Sequence, residues 1–287
     1  MRLFTQQWRA LLLTAVLVVG AVCVSYGDNP SELVGQWVVI NNGNKIELFK
    51  DGTGVQNTTS LTWKTEGKRL MLSYENKTFV SDYNLSGYEL TRTYDDGDVI
   101  VWVRKDKVEE YKKKNTIDFT DSRNGKKYQA IKIGDKTWMA QNLNYQTGNS
   151  WCYDNNISNC EKYGRLYDWN TAKTACPVGW HLPSGKEWDN LVTAVGGKSV
   201  AGKALKSTSG WANNGNGIDN NGFSALPGGY RNIAGSFLSV GRNGLWWTAS
   251  EHGSGNAYYR DMGYDEDYVN EDDDGKGYGF SVRCLQD

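Results

Sequence analysis

From Ser31 to Lys105 the chain alternates apolar and polar positions with the period of a strand. "GQWVVI", "KIELFKDGTG", "LTWKT", "RLMLSYE", "SDYNLSGYELTRTY" and "DVIVWVRK" are the runs, and Asn42-Gly43, Asp51-Gly52, Glu66-Gly67, Ser86-Gly87 and Asp96-Gly97 separate them. Such dipeptides suit tight hairpins, so this half predicts a small antiparallel barrel or sheet. The alternation lapses at "KDKVEEYKKKN" (Lys105–Asn115), which reads as a charged linker with at most a short exposed helix. Beyond it the pattern is mixed. Two strands flank the Asn124-Gly125 turn, and a helical period runs from Tyr163 to Cys176 through Leu166, Trp169 and Ala172. Pro177 and Gly179 stop that helix. Ser184 and Glu187 then form a capping box for a second helix that buries Trp188, Leu191, Val192 and Val195. A third, short helix is expected over Val200–Lys206. The remainder is punctuated by Gly and Asn, with a strand at "AYYRDMGY", an acidic loop over Asp261–Gly275 and a last strand "GYGFSVRC". These elements predict an α+β C-terminal domain behind a β-rich N-terminal one.

The N-terminus changes where the chain is expected to work. Arg2 and Arg9 precede an apolar run, Ala10–Val22, and Ser25 and Gly27 place small residues before Asp28. Residues 1–27 therefore read as a signal peptide, too short in its apolar core for a membrane span. Lipidation at Cys23 is the alternative, although Val22 stands where a lipoprotein signal wants a small residue. The expected layout is signal peptide 1–27, β-domain 28–105, linker 106–116 and C-terminal domain 117–287, with no transmembrane segment after cleavage. The mature protein is then secreted or held in the cell envelope. Cleavage leaves Cys152, Cys160, Cys176 and Cys284, an even count that reads as two disulfides in an exported chain. A net charge of −1 gives no electrostatic support for nucleic-acid binding.

Several motifs carry resemblances. "LVGQW" (Leu33–Trp37) with "ELFKDGTG" resembles the start of bacterial lipocalin-like domains, which implies a small apolar ligand or a scaffold. "RNGKKYQAIKIGDKTWMAQNLNY", "YGRLYDWNTAKTACPVGWHLPSGKEWDNL", "FSALPGGYR", "WWTASE" and "GFSVRC" resemble, in order, the Fibrobacter succinogenes major paralogous domain, a family of exported domains often joined to others. More loosely, the helix–Cys–helix arrangement and terminal Cys-bearing strand are similar to the C-type lectin fold. That likeness implies pairing of Cys176 with Cys284 and of Cys152 with Cys160. The formylglycine-generating-enzyme fold shares the "LP-x-x-x-E-W" helix start and the "GF-x-x-R" strand. Its activity needs free cysteines near the C-terminus, where Cys284 stands alone, and is not implied here.

The candidate chemistry is sparse. Cys176 with His181 has the residue types of a nucleophile and base, but pairing with Cys284 would remove the thiol. His181 instead reads as a half-buried polar residue near Trp180. "GKSVAGKA" (Gly197–Ala204) lacks the Ser/Thr of a phosphate-binding loop and follows a helix. Two distant histidines exclude a zinc motif. No cofactor is expected. Calcium is the candidate metal, with Asp265, Asp267, Asp272 and Asp274 supplying oxygens. Aromatic and basic residues of the loop-rich half suggest a binding surface: Trp211, Tyr230, Arg231, Trp247, Tyr259 and Arg260. In "LWWTAS" alternation would bury one tryptophan and expose its neighbour. The functional expectation is a non-catalytic binding protein for a polysaccharide or a surface protein. A structural envelope protein and an enzyme of unrecognised type are the alternatives.

Overall fold

A computed structural model describes residues 29–287; the expected signal peptide and Cys23 lie outside the described residues. Eight strands close a barrel in chain order: β1 (Gly35–Val39), β2 (Lys45–Leu48), β3 (Thr53–Gln56), β4 (Thr59–Glu66), β5 (Arg69–Tyr74), β6 (Lys77–Ser86), β7 (Glu89–Thr93) and β8 (Val99–Arg104). Every neighbouring pair is antiparallel, and β8 returns to β1 through Trp37↔Arg104 and Val39↔Trp102. Closure leaves no unpaired strand edge. Alternation turns Trp37, Leu48, Trp63, Leu70, Leu72, Leu90 and Trp102 into the barrel core.

The charged segment forms α1 (Val108–Asn115), which leads directly into β9 (Thr116–Asp121). Lys107–Glu110 and Lys112–Glu109 pair along its surface. Strand β9, with β10 (Lys126–Ile133) and β11 (Lys136–Met139), continues to β21 (Leu285–Gln286) and β14 (Trp180–His181) in a five-stranded sheet. A six-stranded sheet runs β12 (Ser150–Trp151), β13 (Leu166–Tyr167), β20 (Phe280–Ser281), β17 (Asn243–His252), β18 (Asn256–Gly263) and β19 (Asn270–Gly275). A small hairpin joins β15 (Tyr230–Arg231) to β16 (Phe237–Leu238). Four short helices pack on these sheets: α2 (Ile157–Tyr163), α3 (Trp169–Ala175), α4 (Gly185–Ala194) and α5 (Lys198–Leu205).

This architecture corrects the α+β, C-type-lectin-like expectation. Strands make up 42% of the structure and helices 20%, distributed over a closed barrel and several further sheets. The helical period does not hold throughout the stretch that carries it. The stretch expected as one helix from Tyr163 to Cys176 is interrupted, because Gly164 takes φ +78° against Asn142 and Leu143, where a Cβ would lie 2.7 Å from Asn142. Leu166 and Tyr167 are then strand, and a helix restarts only where Asp168 caps it by accepting from Thr171 N–H. The acidic stretch is likewise not all loop. Its second half is β19, paired with β18 from Asn270↔Asp261 to Gly275↔Asn256. As the edge of its sheet it carries Glu271 and three aspartates, charges that oppose pairing with another chain.

Two aromatic cores lie on opposite faces of β17. Trp246 points into one with Trp138, Trp188, Phe223 and Met262, and Trp247 into the other with Tyr167, Trp169 and Phe280. Both tryptophans are fully buried, because the sheet is covered on both sides. The disulfides are Cys152–Cys160 and Cys176–Cys284, the pairs implied above. The second closes a loop of 108 residues, which in the chain-entropy picture lowers unfolded-state entropy by about 4–5 kcal/mol. The barrel meets the rest of the chain at its β1–β2 turn. Asn41 donates to the Ala194 carbonyl at the end of α4, and Gly43 leaves no room for a Cβ against Ile218.

Candidate binding site

Phe280 is fully buried and three half-exposed tyrosines surround it. Ring centroids of Tyr259, Tyr278 and Tyr230 lie 4.8, 5.9 and 6.3 Å from a neighbouring ring in this group, Tyr259 and Tyr278 on Phe280 and Tyr230 on Tyr278. Each arrives by a simple rule. Tyr278 precedes Phe280 by two positions and shares its side of the chain. Tyr230 is brought alongside by β15, where Arg231 and Gly279 exchange backbone hydrogen bonds. Tyr259 sits across from Trp247 on β17 and from Asp272 on β19. Cross-strand partners share a face, so Asp272, and Asp274 opposite Ala257, rim the tyrosines on that face. Burial, with Asp272 and neighbouring carboxylates, pushes the Tyr259 phenol up, so it stays a neutral hydrogen-bond donor. Arg231 stands over the Trp151 ring at 4.2 Å on the other side of Tyr230. The arrangement is an apolar aromatic floor with a donor and carboxylate acceptors at its margin.

Of the residues singled out in sequence, Tyr230 and Tyr259 meet here on Phe280, whereas Arg231 turns to the Trp151 ring instead. Trp211, Trp247 and Arg260 are taken up by the fold. The Trp211 indole donates to Ser207 Oγ and the Ala225 carbonyl, and that of Trp247 to the Tyr167 carbonyl. Arg260 is 2% exposed and pairs with Asp189 at 2.8 Å and with Glu271, tying α4 to the sheet. Among the acidic residues, Asp272 and Asp274 lie on β19 whereas Asp265 and Asp267 lie in the preceding loop. Among the described residues no group of three or more His, Cys, Asp or Glu side chains is placed to hold a metal ion. Tyr278 and Trp151 were not singled out. The signal for Tyr278 was its spacing from Phe280; for Trp151, stacked by Arg231 from a distant hairpin, no local signal exists.

The segment around His181 is occupied structurally. Cys176 is bonded to Cys284, so the Cys/His nucleophile has no thiol. His181 Nδ1 lies 2.6 Å from Asp287 and Nε2 3.1 Å from Glu187. The capping box of Ser184 and Glu187 is formed. Burial would raise the Glu187 carboxyl, but the Ser184 N–H and hydroxyl, and then His181, outweigh it and hold it below the ordinary value.

Beneath the tyrosine face, Asn142 joins three parts of the chain. Its carboxamide oxygen accepts from the Trp246 indole at 2.8 Å and from Arg283 Nε and Nη2 at 3.0 and 2.8 Å. Its amide donates to the Tyr163 carbonyl. Arg283, fully buried, also donates to the carbonyls of Met139 and Phe223, and burial pushes its guanidinium down to about 9.

Residues 131–286, more than half of the chain, match the family described as the Fibrobacter succinogenes major domain. The chain belongs to this family. The tyrosine face, the Asn142–Trp246–Arg283 network and both disulfides fall within the Fibrobacter succinogenes major domain, and the barrel falls outside it. No curated protein and no solved structure matches the chain. Among the described residues no helix is long and apolar enough to cross a membrane, and two disulfides are compatible with a location outside the cytoplasm.

Proposed function

We propose that this is an exported, non-catalytic binding protein whose family domain presents the Tyr230–Tyr259–Tyr278 face to a glycan. The observation that carries the reading is the gathering of three half-exposed tyrosines around Phe280, with Asp272 and Asp274 beside them. A sugar ring offers an apolar C–H face and a hydroxyl rim. The tyrosine floor matches the first, and carboxylates with a neutral Tyr259 hydroxyl match the second. Rigid aromatic anchors on a buried base are the groups that dominate interface energetics. The stapled, two-sided aromatic core beneath supplies the rigidity.

Affinity electrophoresis of the chain without residues 1–27 against β-glucan, xylan and galactomannan tests the reading. Retardation by at least one polysaccharide is expected. Tyr278→Ala, which removes the one ring of the three that lies outside a strand, should weaken it by about tenfold, or about 1.4 kcal/mol. Retardation unaffected by both Tyr278→Ala and Asp272→Asn would place the binding surface elsewhere.

A further inference from the structure

The tyrosine face carries a negative charge that the chain does not neutralise. On β18, Ala257, Tyr259 and Asp261 share one side, and β19 sets Asp274, Asp272 and Asn270 across from them. Asp261, Asp272 and Asp274 therefore flank Tyr259 on one side of the sheet. Among the described residues none of the three is ion-paired. The basic groups of the neighbouring segments are committed elsewhere. Arg260 turns to the opposite side, to Asp189 and Glu271, and His252 holds Asp273. Lys276 is given to Glu251 and to the carbonyls of Gly253 and Ser254. Arg231 lies over the Trp151 ring.

After burial, every influence that raises the Tyr259 phenol is a carboxylate: Asp272, Asp261, Asp274 and Asp273, in that order. Burial first, with Asp272 and Asp273, raises Asp274 against the opposing Gly275 N–H. Like charges held beside an apolar floor repel one another, and a docking cation relieves them. The face of a tyrosine ring is itself negative, so the floor adds to the attraction for an ammonium group. A second observation is independent of charge. Among the described residues no hydroxyl of Tyr230, Tyr259 or Tyr278 has a hydrogen-bond partner. The carboxylates are not placed together to hold a metal ion, so the cation they suit is an organic one spread along a chain.

We propose that the glycan bound at this face is an amino sugar whose amines are free and protonated. This rests on the glycan reading above and names the class within it. The C–H face of the sugar stacks on the tyrosines, its hydroxyls meet theirs, and its ammonium groups meet Asp272 and Asp274. A neutral sugar makes the first two contacts and leaves the carboxylates unpaired. A uronic acid adds negative charge and is repelled. A lysine-rich peptide answers the carboxylates but offers no rigid ring to the floor.

Hexasaccharides of glucosamine, N-acetylglucosamine and glucose with the same linkage differ in one substituent per ring: ammonium, acetamide or hydroxyl. Calorimetric titration of the chain without residues 1–27, below neutral pH where the amines are protonated, compares them. The glucosamine hexamer is expected to bind about tenfold or more tighter than the other two, through ammonium–carboxylate and cation–π contacts. High salt should narrow the gap. Asp272→Asn with Asp274→Asn removes the charge and keeps an acceptor oxygen for the Asp273 and Gly275 N–H groups. This double variant should bind the three hexamers about equally, with an unchanged circular dichroism spectrum. Equal binding by wild type, or tighter binding of either uncharged hexamer, overturns the amino-sugar class and leaves the glycan reading standing. Hexalysine bound as tightly as the glucosamine hexamer overturns it in favour of a cationic peptide. A preference that survives in the folded double variant overturns its placement at this face. Failure of the glucosamine hexamer to bind overturns the class alone if a neutral polysaccharide still retards the chain, and both readings if none does. The wild-type comparison decides the matter even if the variant does not fold.

Discussion

The Asn142 carboxamide oxygen accepts from residues 104 and 141 positions away, Trp246 and Arg283, and so fixes the early part of the family domain to β17 and to the segment between β20 and β21. Nothing local in "QNLNY" distinguishes it from a loop asparagine, which is why the site was legible as aromatic residues but not as the polar network beneath them. The same limit separates Tyr259, which keeps an exposed edge, from Trp247, whose indole is consumed by the Tyr167 carbonyl. Asp261 offers a measurable consequence at this scale. Burial first, then Glu266 and Asp272, push its carboxyl up to about 6, while the hydrogen bond with Asn270 opposes them. A carboxyl raised on folding binds its proton more tightly in the native state. The resulting penalty is absent at low pH, develops as pH rises above the unfolded value near 3.8, and is complete above about 6. Asp261→Asn, which can keep the Asn270 contact, should raise the melting temperature at pH 7.5 and leave it unchanged at pH 3.5. Equal effects at both pH values would show that Asp261 carries no native-state proton linkage.

At the level of elements, strands announced themselves by alternation and by their Gly-bearing turns, and α4 by its capping box. Elements whose identity depends on distant pairing did not. Strand β13 is two residues long and exists because Leu166 and Tyr167 pair with Ser281 and Phe280. Strand β19 has four consecutive acidic residues, a composition that favours solvated loops, yet its backbone pairs with β18 along six positions. The start of α4 shows an element held by more than its cap. His181 bridges Glu187 at the first turn to Asp287 near the chain end, locking the helix start to the segment beside β21. His181→Ala should therefore lower the urea midpoint while leaving polysaccharide retardation within twofold of wild type. Depression of the Glu187 carboxyl adds stability that is present above the free-glutamate value of 4.5 and lost as pH falls through its lower folded value. The destabilisation by His181→Ala should thus be measured near neutral pH. A variant of wild-type stability that no longer binds would move the working surface to this half of the domain.

For the whole molecule, the sequence pattern separated a β-rich half from a mixed one and placed a charged segment between them. Closure of the first half was not legible, because it rests on β1 pairing with β8 across nearly the entire segment. The second half holds less helix than its period suggests, because the period of Leu166, Trp169 and Ala172 begins in strand β13 and passes into α3 only after the cap at Asp168. What the halves share is a docked turn, Asn41 and Gly43 against Ala194 and Ile218. What separates them is chemistry: the barrel closes around an apolar core, and the family domain exposes tyrosines and carboxylates on a rigid floor. The central claim is that the exposed tyrosine face is the surface that works. Hydroxyl-radical footprinting of the mature chain, with and without the polysaccharide that retards it most, tests this directly. Protection of Tyr230, Tyr259 and Tyr278, with Trp180 and His181 unchanged, is the predicted result. Protection confined to Trp180 and His181, with the three tyrosines equally oxidised in both samples, would contradict it.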